Sequence, residues 1–163
     1  MKKQKISAKT VALLAMMIAL ALVFSYVETL IPINFGIPGV KLGLANLVIV
    51  AAIYLIGGKE AFLISVVRIF LSGFMFGNLA SIMYSLAGGL LSLAVMLILK
   101  KTDKLSILAV SVLGGICHNI GQLIVAILVV ENLKLIFYVP VLLISGFVTG
   151  LLIGIVSRVI LPA

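Results

Sequence analysis

The chain has 163 residues, of which 64% are apolar and only 10% are charged, and its formal net charge is +8. Soluble domains are about half apolar and about a quarter charged, so this composition excludes a water-soluble domain and indicates an integral membrane protein. The basic residues lie at the ends of apolar segments rather than on one face, which favours lipid head groups over nucleic acid as their partner.

Charged residues and Pro/Gly clusters divide the chain into apolar segments, which run over residues 9–30, 42–57, 61–77, 79–99, 105–130 and 137–160. A bilayer core about 30 Å thick requires roughly 20 apolar residues per helix. We therefore predict an all-α integral membrane protein, with a single transmembrane domain over residues 1–163 and six transmembrane helices. The basic start resembles a signal peptide, but we predict a retained first helix because the segments that follow are also apolar.

Lysine and arginine are unequally divided between the two ends of these segments. With the N-terminus in the cytoplasm, only Lys41 and Lys134 lie outside. Nine basic residues then lie inside, namely Lys2, Lys3, Lys5, Lys9, Lys59, Lys100, Lys101, Lys104 and Arg158. The positive-inside rule therefore predicts that both termini are cytoplasmic.

Two predicted helices carry stripes of small residues, which allow close helix packing in lipid. In the first helix, Ala8, Ala12, Ala15 and Ala19 follow a 4-3-4 spacing and share one face. In the last helix, Gly146, Gly150 and Gly154 form a double GxxxG. We predict packing within the chain for the glycines, whereas the alanine face could equally dock a helix of a partner protein.

The third predicted helix contains a buried charge. Arg68 lies about 12 Å from the start of this helix, near the middle of the membrane. An arginine there costs at least roughly 2.5 to 3.5 kcal/mol, so it should face the bundle interior and have a partner. The four acidic residues of the chain are Glu28, Glu60, Asp103 and Glu131, and none lies at this depth. The partner is therefore Glu28 reached through a cavity, amides and carbonyls of the fifth helix, or a ligand.

The fifth predicted helix has a continuous face of small and polar residues, formed by Ser111, Gly114, Gly115, His118, Asn119, Gln122 and Ala126. Hydrogen bonds between helices would account for any one of the polar side chains. Their convergence with Arg68 and Asn46 instead favours a ligand cavity among the second to fifth helices. Our candidate ligand-binding residues are Arg68, Asn46, His118, Asn119, Gln122, Lys41, Tyr84 and Glu28.

Lys41 precedes the second predicted helix, where the lysine and the free amides of the helix start would attract an anion. Alternatively, its side chain extends to outer lipid phosphates. If it faces the cavity, Lys41 and Arg68, with His118 as a further candidate, set against Glu28, would favour an anionic or zwitterionic small molecule.

Several kinds of chemistry are excluded. Magnesium-assisted prenyl or phosphoryl transfer needs clustered carboxylates, and the acidic residues here are scattered. The chain has no Walker A motif. Cys117 and His118 diverge by about 100° on a helix, which suits neither zinc nor a nucleophile pair. We therefore predict a binding protein that is not an enzyme and that uses no metal and no cofactor.

Four segments carry a family resemblance: "IPGVKLGLANLV" (37–48), "YSLAGGLLSLAVM" (84–96), "VLGGICHNIGQLIVA" (112–126) and "YVPVLLISGFVTGLL" (138–152). Together they resemble the small membrane family labelled "Gx transporter" or "heptaprenyl diphosphate synthase component I". That family is similar in turn to the substrate-binding S-components of energy-coupling-factor (ECF) transporters. The resemblance implies a six-helix bundle in a prokaryotic cytoplasmic membrane and a vitamin-like or lipid-precursor ligand.

The resemblance also implies partners. An S-component docks on a coupling subunit that works with two ATPase subunits, and the implied docking motif here is Ala15-Met-Met-Ile-Ala19. The prediction is an importer subunit that captures a small molecule in its cavity. The alternatives are a non-catalytic membrane partner in polyprenyl diphosphate or menaquinone synthesis, holding a prenyl diphosphate near Arg68 and Lys41, and a structural subunit of a membrane redox complex.

Overall fold

The structure is a computed structural model that describes residues 8–31 and 43–161. Within these residues the chain forms six α-helices and one 3-10 helix, and no strand. The helices are α1 (Ala8–Leu30), α2 (Asn46–Leu55), α3 (Gly58–Phe76), α4 (Leu79–Lys101), α5 (Ile107–Val130), the 3-10 helix (Leu133–Tyr138) and α6 (Val139–Ile160). The predicted all-α class is confirmed.

Four helical units are long and apolar enough to cross a membrane, namely α1, α4, α5 and the continuous unit Leu133–Ile160. Helix α3 has 19 residues but carries Lys59, Glu60 and Arg68. Helix α2 has 10 residues, which at about 1.5 Å per residue covers roughly half of a hydrocarbon core. The protein is thus an all-α membrane protein, whereas six crossings and cytoplasmic termini stay predictions.

Helix α2 is shorter than the predicted segment 42–57, and glycines flank it. Gly43 (φ +89°) and Gly57 (φ +142°) adopt backbone conformations that side chains disfavour. Between Gly43 and α2 the chain turns, because the Asn46 and Leu47 amides donate to the carbonyls of Gly43 (2.9 Å) and Leu44 (3.0 Å). The predicted segment 42–57 therefore includes, besides α2, the turn before the helix and two residues after it.

The predicted separation of the segments 61–77 and 79–99 is confirmed, and Asn78 caps the second of the two helices. Its Oδ1 accepts from the Ser81 amide at 2.8 Å, and the Asn78 amide donates to Ser81 Oγ at 2.9 Å. This reciprocal pair is a capping box, which satisfies amides that a helix start leaves without partners. Helix α4 therefore begins at Leu79, directly after α3.

Glycines bring α5 and α6 into close backbone contact. A Cβ built on Gly150 would lie 2.7 Å from Val112 Cα, and one on Gly154 would lie 2.9 Å from Leu108 Cα. The Ser111 hydroxyl adds a hydrogen bond to the Gly150 carbonyl at 2.8 Å. Small residues allow this approach in lipid, where packing rather than the hydrophobic effect holds helices together. The predicted role of the α6 glycines within the chain is confirmed.

Helix α1 is attached to the bundle less extensively than the other long helices. It packs on α3 and α2, and its buried residues are Ala21, Ser25 and Glu28. The residues of the predicted alanine face, Ala8, Ala12, Ala15 and Ala19, are all exposed. This face is therefore not covered by any described part of the chain.

The α5–α6 contact can be tested with Gly150→Ala. We expect it to lower the free energy of unfolding by about 1 to 3 kcal/mol, because the new methyl group meets backbone atoms that cannot yield. Ala94→Val is the matched control, since Ala94 is exposed on α4. Unfolding of the purified protein by SDS titration measures both. Equal losses in the two variants would contradict the contact.

Candidate functional site

The centre of the bundle contains a buried arginine with unused hydrogen-bond donors. Arg68 lies in the middle of α3, is 3% exposed, and shares its buried face with Ser65 and Ser72. Among the described residues, none accepts a hydrogen bond from its Nε or Nη2. A buried charge without hydrogen-bonding partners is strongly destabilising. The guanidinium therefore has spare capacity to bind an anion.

Glu28 lies inside the bundle rather than among lipid head groups. Its side chain is 7% exposed and close enough to Arg68 for the two charges to interact. Its Oε1 accepts hydrogen bonds from the backbone amides of Gly43 and Leu44, the latter at 3.3 Å. The carboxylate thus connects the C-terminal end of α1 to the start of α2.

His118 and Asn46 converge on Gly43. A Cβ built on Gly43 would lie 3.1 Å from His118 Cδ2 and 3.2 Å from Asn46 Nδ2. Both side chains are buried, and His118 also lies within electrostatic range of Arg68. The structure therefore brings together four of the candidate residues, from four different helices: Glu28, Asn46, Arg68 and His118. We call these four residues, with Gly43 and Leu44, the polar cluster.

The other candidates lie elsewhere. Asn119 Nδ2 donates to the Leu142 carbonyl of α6 at 2.8 Å. Adjacent helical residues point about 100° apart, so Asn119 and its neighbour His118 face different helices. Gln122 lies between α5 and α4, where its Cγ is 2.8 Å from a Cβ built on Gly88. Tyr84 packs in an apolar cluster with Leu123 and neighbouring residues. The structure thus places Asn119 and Tyr84 outside the polar cluster, and the ligand-binding role of these three residues stays a prediction.

Lys41 lies outside the described residues. The role predicted for it as a cation beside the ligand stays a prediction.

The structure instead identifies a neighbouring feature that the sequence reasoning missed, the pair of amides at Gly43 and Leu44. The sequence signal for these amides is the glycine of "VKLGLAN", which directly precedes an apolar run. Glycine at such a position permits a tight turn next to a helix start.

A narrow polar cleft extends the cluster into the bundle. This closely packed space adjoins Gly43 and Asn46 and is lined by polar and apolar residues of α2, α4, α5 and α6, among them Ser92, Met96 and Thr149. The Ser92 hydroxyl is buried and has no hydrogen-bond partner among the described residues. Within residues 8–31 and 43–161, no three His, Cys, Asp or Glu side chains are grouped so that they could hold a metal ion. The described groups of the cluster offer hydrogen-bond donors and a positive charge to a ligand.

The dependence of the cluster on Gly43 can be tested with Gly43→Ala. We expect a loss of about 1 to 3 kcal/mol in the free energy of unfolding, because the methyl group meets His118 and Asn46 and the φ angle is unfavourable. In a cycle with His118→Ala, the double variant should recover part of this loss, since the imidazole is removed. Additive losses, measured by SDS titration, would show that Gly43 and His118 are not in contact.

One family model matches the chain. Its description is heptaprenyl diphosphate synthase component I, and the match covers residues 17–160. No curated protein and no solved structure matches the chain. The matched range contains every residue of the polar cluster and most of α1. The chain therefore belongs to the heptaprenyl diphosphate synthase component I family.

Proposed function

We propose that this protein is the non-catalytic membrane component of a polyprenyl diphosphate synthase, and that its polar cluster binds the diphosphate head of a prenyl diphosphate. Its partner would be a separate catalytic component, as the family description "component I" suggests. The observation that carries the proposal is Arg68, a charge buried among apolar helices with unused donors. Ionisable residues inside membrane bundles mark binding sites because burial without a function is costly.

The ligand class follows from the setting of the cluster. A prenyl diphosphate has a hydrocarbon tail, which lipid and apolar helices accept, and an anionic head, which requires cations and amide donors. Arg68 offers a planar set of donors that suits phosphate oxygens. Because Arg68 and Glu28 are buried, the head group reaches the guanidinium only after the covering side chains move.

The chain's own side chains do not supply the chemistry of prenyl transfer. That reaction needs carboxylates that hold magnesium. Glu28 is the acidic residue of the cluster, and its Oε1 is engaged by two backbone amides. We infer that component I holds or delivers a prenyl diphosphate and that its partner forms the new bond.

A second candidate is the substrate-binding subunit of an ECF-type importer, with six spans and cytoplasmic termini, docked through α1 on a coupling subunit and two ATPases. The exposed alanine face of α1 favours it, because such a face suits a helix of another membrane protein. The same face would serve a membrane-bound synthase partner, so only the identity of the bound protein separates the two functions.

The head-group site can be tested with Arg68→Met, using farnesyl diphosphate as the probe and detergent-solubilised full-length protein. We expect the dissociation constant to rise at least about tenfold, since one charge-assisted hydrogen bond contributes about 1.5 to 3 kcal/mol. Arg68→Lys should lose part of the affinity, because it keeps the charge without the planar donors. Isothermal titration calorimetry provides the dissociation constants.

Two controls accompany this test. Arg158→Met removes an exposed arginine near the end of α6 and should leave affinity unchanged. Farnesol, which lacks the diphosphate, should bind wild type and Arg68→Met equally. If Arg68→Met binds farnesyl diphosphate as tightly as wild type, Arg68 does not hold the head group.

The docking face can be tested with Ala15→Leu and Ala19→Leu. We expect both to abolish co-purification with a partner, because the larger side chains prevent close helix approach. Leu20→Phe is the matched control, because Leu20 is exposed on α1 and points about 100° away from Ala19 around the helix. Mass spectrometry of the co-purified proteins decides between the functions, since a prenyl synthase subunit supports the first and two ATPases support the second. Survival of the complex in both variants would exclude this face.

A further inference from the structure

The carboxylate of Glu28 is an anion that belongs to the chain itself. It lies where backbone amides can donate hydrogen bonds to an anion. Its Oε1 is shared by the amides of Gly43 and Leu44. These amides lie at the start of α2, whose N-cap residue, Ala45, makes no side-chain cap. The positive end of a helix dipole and free amides together attract anions. The position of Glu28 therefore marks an anion site.

The same site has donors that Glu28 does not use. Arg68 is close enough to Glu28 for their charges to interact, yet Nε and Nη2 of the guanidinium are without described acceptors. His118 lines the site from α5, with Cδ2 3.1 Å and Nε2 3.3 Å from a Cβ built on Gly43. An anion with more oxygens and more charge than one carboxylate would engage the amides and the guanidinium together.

Glu28 is also a principal attachment of α1. This helix has 23 residues, and Glu28 is buried with only Ala21 and Ser25. Ala21 and Ser25 are small, so Glu28 is the largest buried side chain of the helix and the one that reaches the start of α2. The carboxylate, together with the contact between the rings of Tyr26 and Phe76 of α3 (5.0 Å between centroids), therefore holds the C-terminal end of α1 to the bundle.

We propose that Glu28 is a displaceable latch: an anionic head group takes its place on the Gly43 and Leu44 amides, and the expelled carboxylate releases the C-terminal end of α1. This inference rests on the proposed binding of an anionic ligand at the polar cluster. Two anions at one buried site repel each other strongly because the dielectric is low. Ligand binding and the latched position of α1 therefore exclude each other.

The latch links the ligand to the partner. Helix α1 carries the exposed alanine face, so release of one end of the helix changes how that face is presented. Thermodynamic linkage is reciprocal, and a partner that binds the released α1 must therefore raise the affinity for the ligand. The cluster and the docking face thereby act as one switch.

The first test measures affinity for inorganic pyrophosphate, which contains the head-group chemistry without the tail. Glu28→Gln keeps a carbonyl oxygen for the amides but removes the competing charge. We expect its dissociation constant to fall about 5- to 10-fold relative to wild type, within the usual range of coupling between sites. Glu60→Gln, in the first turn of α3, is the matched control and should leave the dissociation constant unchanged.

The second test measures the position of α1 directly. Spin labels are attached through Leu30→Cys and Leu128→Cys, two exposed positions at the ends of α1 and α5, in a Cys117→Ser background. Pulsed electron spin resonance should show a longer distance between the labels when pyrophosphate is added. In Glu28→Gln, part of the population should show the longer distance without pyrophosphate, because the neutral amide oxygen is a weaker acceptor for the two backbone amides than the carboxylate.

The outcomes separate the latch from the proposed function. If pyrophosphate binds in an Arg68-dependent way, while Glu28→Gln binds no more tightly and the label distance does not change, the latch is wrong and the binding function stands. If no variant binds pyrophosphate, or if Arg68→Met binds as wild type does, the binding function fails and the latch fails with it. The wild-type distance change decides the question independently, should Glu28→Gln fold poorly.

Discussion

The burial of the Arg68 charge among apolar helices is the constraint around which the rest of the polar cluster is arranged. A guanidinium cannot remain in a low-dielectric interior unless compensating groups surround it. Glu28 supplies part of this compensation through the attraction between its charge and that of Arg68. The guanidinium donors that no described residue uses give the cluster the capacity to bind an anionic ligand.

Close packing on the other side of the bundle gives this cluster a rigid wall. The glycine contacts between α5 and α6, with the Asn119 bond to the Leu142 carbonyl, hold α5 in place. His118, on the neighbouring face of α5, is thereby presented to Gly43. Helix α1 is different, because few of its residues are buried. A rigid wall and one weakly attached helix are the combination that a ligand-driven movement requires.

The membrane component of a synthase and the binding subunit of an importer make similar physical demands. Both must hold an amphiphilic or anionic molecule inside a helical bundle, and both must contact another protein. The family assignment favours the synthase component. The exposed alanine face is compatible with either partner, so the shared physics explains why one architecture would suit both functions.

The sequence by itself determined the helical class, the membrane character, the break at Asn78 and the burial of Arg68, because apolar composition, capping residues and the cost of intramembrane charge act locally. It also indicated the packing role of the α6 glycines. It could not determine that Asn119 would face α6 or that the Gly43 and Leu44 amides would hold Glu28. These features depend on contacts between residues far apart in the chain, which only the tertiary structure decides.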